Sequence, residues 1–60
     1  MCEANVYFLK NNKEEKVMEG AYIIKKENDK YYFLNIFGEQ EFVKGKIKEV
    51  DLISHKIILE

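Results

Sequence analysis

The residue with most chemistry to offer is Cys2, the only cysteine of this 60-residue chain, placed directly after Met1. A thiolate beside a free α-amine is a chelating pair. If Met1 is removed, the Cys2 amine and sulfur close a five-membered N,S ring on one metal ion. If Met1 stays, the Met1 amine, the Cys2 amide nitrogen and the thiolate form two fused rings. Both arrangements suit a square-planar ion such as Ni(II) or Cu(II) better than tetrahedral structural zinc. Two such termini meeting across a two-fold axis build an N/S site from one cysteine per chain. The plainer reading of a lone Cys without ligand spacing is a small apolar residue at the chain end.

Other groups offer less. His55, the only histidine, is a potential ligand or general base. It falls in an expected turn, and no Ser, Asp or second His is spaced to complete a catalytic set. An exposed turn residue is the better reading, although Asp51 is close enough in sequence to approach it across the hairpin. Glu3 can act as an outer partner of a metal ligand. Strand alternation, however, sends its side chain opposite to Cys2, toward solvent. Met18 carries a thioether donor, yet filling a core or interface is its commoner role.

Lys44, Lys46 and Lys48 alternate along one expected strand and make a basic stripe. With Tyr31 and Tyr32 they suggest a small RNA-binding β-barrel, with bases on aromatics and lysines on phosphates. The competing reading is a solvated strand face guarded by lysines. A formal charge of −1 favours it and argues against nucleic acid as a partner. No glycine-rich phosphate loop, paired-carboxylate motif or nucleophile elbow is present, so the chain is not expected to be an enzyme.

The elements that must position these groups are short β-type runs separated by polar clusters. They are expected at residues 4–10, 16–19, 22–26, 31–36 and 41–50, with a final pair at 52–53 and 57–59. Asn11-Asn12-Lys13 and Asn28-Asp29-Lys30 read as turns, because Asn tolerates left-handed backbone angles. Gly38 marks another turn, and Gly45 a bulge or bend. A short helix over residues 13–19 is the main competitor, since Lys and Glu favour helix. The β neighbours and tight loops decide for strand. The expected architecture is all-β: a small SH3-like antiparallel barrel formed by one domain, residues 1–60.

Several strands carry apolar groups on both faces, as in Tyr31 to Ile36 and Ile57 to Leu59. A small barrel encloses one face only, so the other calls for a partner, and a homodimer is expected. A chain this short, with no disulfide pair or closed zinc motif, also gains stability from oligomerisation. The odd cysteine and the missing signal peptide point to a reducing cytoplasm. The longest apolar runs are far too short to span a membrane.

The opening MCEANVYFL, the central NIFGEQ, the stretch KGKIKEVDL and the closing HKIILE resemble the CooT-like family of small nickel-binding proteins. The resemblance covers essentially the whole chain. Its most specific part is a Cys at position 2 in a chain of this length, followed by a hydrophobic strand. It implies an SH3-like homodimer that binds Ni(II) through Cys2. It also implies an accessory, metallochaperone-like role in nickel delivery, with carbon monoxide dehydrogenase or its maturation proteins as partners.

Overall fold

Strand β1, Ala4–Lys10, puts Ala4, Val6 and Phe8 on one side, and Asn11-Asn12 then turns the chain back. These two asparagines have φ of 53° and 64°, the paired positive values that a two-residue type I′ hairpin requires. The computed structural model describes residues 3–60, so Cys2 lies outside the described residues. The chain continues through β2 (Lys13–Glu27), β3 (Lys30–Asn35), β4 (Gln40–Lys44), β5 (Ile47–Asp51) and β6 (Lys56–Leu59). They form one six-stranded sheet in the order β4-β3-β2-β1-β6-β5.

The inward face holds Val6, Met18, Ala21, Phe33, Ile57 and Leu59, with Ala4, Phe8, Val17, Tyr31 and Val43 packed around them. Phe33, Leu59 and Val6 are completely buried. Each contributes ~1.5–3 kcal/mol by leaving water.

The all-β expectation holds, but the closed antiparallel barrel does not. No ladder joins β4 to β5, so the sheet is open, and β6 runs parallel to β1. β6 lies between β1 and β5, and its Ile57, Ile58 and Leu59 are all buried. The strand expected at Leu52-Ile53 is instead part of a turn, because Asp51 accepts the backbone N–H of Ile53 (3.0 Å) and Ser54 (3.1 Å).

The two runs expected at 16–19 and 22–26 are one long strand, bent at Gly20 (φ +71°) rather than broken. The single strand expected at 41–50 is broken at Gly45 into β4 and β5. Gly45 has φ +149°, and a Cβ there would lie 2.6 Å from the Glu60 carbonyl oxygen. Only glycine takes this backbone without strain. Its N–H reaches the Asp29 carbonyl (3.4 Å), while Lys46 and Glu60 exchange backbone bonds of 3.0 and 2.8 Å. The two open edges of the sheet therefore converge at this corner.

Candidate functional site

Two regions, one at the middle of β2 and one at its C-terminal end, carry the groups singled out from the sequence. The first surrounds Glu3, the residue bonded to Cys2. Glu3 is exposed, as expected, and borders a cleft of ≈ 220 Å³ with an apolar wall of Ala21, Tyr22, Ile24, Val50 and Leu52. Tyr22, Ile24 and Val50 are each about half exposed, Leu52 is 80% exposed and its neighbour Ile53 93%. Ile36 and Phe37 border a second cleft on the other side of Glu3 and His55.

His55 stands between these clefts and belongs to both walls. Its φ of 55° confirms the turn reading, and its carbonyl accepts the Asn5 N–H at 2.8 Å. Asp51 and His55 border the same cleft, but among the described residues no hydrogen bond or ion pair joins them, and the Asp51 carboxylate accepts from the turn backbone instead. Those bonds, chiefly from the Ser54 N–H, hold the Asp51 carboxyl below its ordinary range. Lys56 also borders the cleft, but its ammonium lies 2.7 Å from Glu14 and 4.9 Å over the Tyr7 ring. The hydrogen bond to Glu14 raises its pKa. Met18 is a core residue. Among the described residues no three His, Cys, Asp or Glu side chains converge on one point.

Asn35 was not legible as a site-building residue. It is 1% exposed and fully bonded. Its amide donates to the Glu19 carbonyl (3.1 Å) and the Glu39 carboxylate (2.6 Å) and accepts from the N–H of Phe37 (3.1 Å) and Glu39 (2.7 Å). This network fixes the 35–39 loop, and with it Ile36 and Phe37, beside Gly20. The available signal was Asn two residues before an exposed Phe and three before Gly38, a side chain suited to bonding the backbone ahead of it.

The second region is the far hairpin, Asn28-Asp29, with the end of β4. The expected Lys44–Lys46–Lys48 stripe is not one face, because Gly45 separates Lys44 in one edge strand from Lys48 in the other. Tyr31 and Tyr32, as strand neighbours, point oppositely. Tyr31 packs on the core, 6.4 Å from the Phe33 ring, and Tyr32 pairs with Phe42 at 5.0 Å on the outer face.

Known proteins resemble this chain over much or all of its length. Residues 1–60 match the family model for the CO dehydrogenase accessory protein CooT. A crystal structure assigned to CooT from Carboxydothermus hydrogenoformans superposes with a TM-score of 0.92 at 34% identity, covering 98% of this chain and 95% of that one. An uncharacterised protein of Methanocaldococcus jannaschii is 38% identical over 60 residues, all of this chain and 98% of its own. Another, from Archaeoglobus fulgidus, is 42% identical over 43 residues, 72% of this chain and 96% of its own. With the family pattern matched from residue 1 to residue 60 and the fold shared with a CooT structure, the chain belongs to the CooT family of CO dehydrogenase accessory proteins.

Proposed function

We propose that the chain is a homodimeric cytoplasmic carrier that binds Ni(II) as cargo through Cys2 at the dimer axis and passes it on during maturation of carbon monoxide dehydrogenase. The observation that carries this reading is membership of an accessory-protein family over residues 1–60, a span that includes Cys2. The described residues supply no rival cluster of three ligating side chains.

The region around Glu3 supports the dimer. It is concave and apolar, and Leu52 and Ile53 project bare from the turn beside it. A second copy related by a two-fold axis would cover such a surface with the same surface of its own and bring two N/S donor sets together. Apolar burial of this kind persists without metal, so chelation should leave the dimer intact. The open sheet suits the task by keeping the N-terminal strand in its middle, away from either free edge.

Titration of chelator-treated protein with Ni(II), followed by thiolate-to-metal absorption and sedimentation, tests the reading. One nickel per pre-existing dimer is expected. A monomeric apo protein, or one nickel per chain, would refute the shared site. Binding must weaken below neutral pH, because a free α-amine titrates near ~8 and a thiol near ~8.5 and both must lose protons to bind metal.

A further inference from the structure

The loop between β3 and β4 presents Ile36 and Phe37, which are 49% and 69% exposed. Single apolar groups at a surface are ordinary; these two are distinguished by how firmly they are held. Asn35 and Gly38 take the first and last places of a turn, the places these residue types favour, and the Gly38 N–H closes it on the Asn35 carbonyl at 3.1 Å. Every other backbone N–H from Asn35 to Glu39 also has a partner. Asn35 donates to the Glu39 carbonyl (3.0 Å), Ile36 to the Gly20 carbonyl (3.0 Å), and Phe37 and Glu39 to the buried Asn35 side chain (3.1 and 2.7 Å). The Ile36 side chain lies over Gly20, where a Cβ would come within 3.1 Å of it. A loop bonded in this way has little backbone freedom left to lose on binding. The surroundings are acidic. Glu3 and Glu19 border the cleft beside the loop, and among the described residues no Lys or Arg lines it. Glu39 ends the loop, its carboxylate 2.6 Å from the Asn35 amide. Lys16 reaches Glu19 at 3.1 Å, but that pair is exposed at both ends and holds weakly.

We propose that Ile36 and Phe37 form a docking finger for the protein that receives the cargo, entering an apolar socket rimmed by lysine or arginine. The identity of that protein rests on the carrier reading above; the surface rests on the loop itself. An apolar anchor at the centre, with polar groups excluding water around it, is how the strongest interface residues are arranged. The carboxylates of Glu3, Glu19 and Glu39 call for cations across the interface. They also disfavour a second copy as the occupant, because a two-fold contact of finger on finger would set Glu19 and Glu39 against their own counterparts. The dimer proposed above uses the other side of Glu3, along the wall of Tyr22, Ile24, Val50 and Leu52, and leaves the finger open. Glu3 borders both clefts, so a client seated on the finger lies beside the residue bonded to Cys2.

The test measures binding of the full chain to purified carbon monoxide dehydrogenase prepared without nickel, by interferometry from about 20 to about 200 mM salt. Phe37→Ala should weaken binding at least ~10-fold, mainly through faster dissociation. The double variant E19Q/E39Q keeps an oxygen for the Asn35 amide but removes both charges. It should slow association several-fold and flatten its dependence on salt. Thermal melts check that these surface variants stay folded. Sedimentation and nickel titration of Phe37→Ala should match the parent. Equal binding of the enzyme by Phe37→Ala and the parent overturns the docking finger and leaves the carrier reading intact. A dimer that dissociates in Phe37→Ala would assign the finger to self-association, which also overturns it. Faster association by E19Q/E39Q would show an acidic partner surface and overturn the charge match. A parent chain that takes up nickel but fails to bind the enzyme at low salt overturns the finger and delivery to that enzyme together.

Discussion

The middle of β2, beside Glu3, and the hairpin at its C-terminal end differ in what they leave unfinished. Around Glu3 the exposed groups are apolar: Tyr22, Ile24, Val50, Leu52 and Ile53, with Phe37 across the second cleft. At the Asn28-Asp29 hairpin they are charged, several lysines with Glu27 and Asp29 among them, beside one aromatic pair. An apolar surface gains by excluding water, which calls for a second protein surface. A charged surface is already hydrated and gains only when its counterions are exchanged for fixed opposite charges. One sheet thus carries two surfaces of opposite physical character, and near-neutral total charge hides the difference.

Substitutions in each region should separate these roles. The largest effect is expected for Cys2→Ser, which should lower Ni(II) affinity at least ~100-fold, since losing even an outer partner of a metal ligand costs 10–100-fold. Melting should be unchanged, and calorimetric titration beside a thermal melt would check both. Tight stoichiometric binding by the variant would move the site elsewhere, with His55 the first suspect. Gly45→Ala should destabilise the fold by ~3 kcal/mol in urea titration, because its φ is foreign to alanine and the new Cβ meets Glu60. A loss near zero would mean that the corner relaxes freely.

Leu52→Glu should weaken the apo dimer roughly ten- to a hundred-fold in sedimentation, as loss of one well-buried interface anchor does. Phe42→Glu, in the other region, should leave assembly unchanged. If the second variant dissociates the protein and the first does not, the assignment of the two regions is reversed. His55→Ala should change Ni(II) affinity by less than about three-fold, since an exposed turn imidazole lacks the buried setting of a tuned ligand. A larger loss would make it part of the site.

The smallest effect concerns acid stability. Hydrogen bonds to the turn, led by the Ser54 N–H, lower the Asp51 pKa from its ordinary 3.8. A carboxyl lowered on folding stabilises fully above its unfolded value and loses that contribution as pH falls through the folded value. Denaturation curves of Asp51→Asn and the parent should therefore differ at neutral pH and converge in acid below 3.8. Curves separated by a constant amount at every pH would show that the carboxylate charge is irrelevant to the turn.

Much of the fold was legible because period-two alternation and turn chemistry are local. The bounds of β1 and the Asn11-Asn12 turn follow from residues within a few positions of each other. Gly45 was legible as a bend, but not as the place where one strand becomes two edges, since that depends on Glu60 approaching from the far end of the chain. His55 was legible as a turn residue, whereas its place between two clefts was not. Asn35 escaped because its partners, Glu19 among them, are assembled only when β2 and β3 pair.

The sequence by itself determined the all-β class, the hairpins and the unusual placement of a lone thiol at Cys2, because these rest on residue type and short spacing. The tertiary structure decided that the sheet stays open, that β6 joins β1 in parallel, and that lysines far apart in sequence gather at one end. Each of these depends on long-range pairing. Alternation fixes which side chains share a face of one strand, but only the register between strands fixes which faces become neighbours.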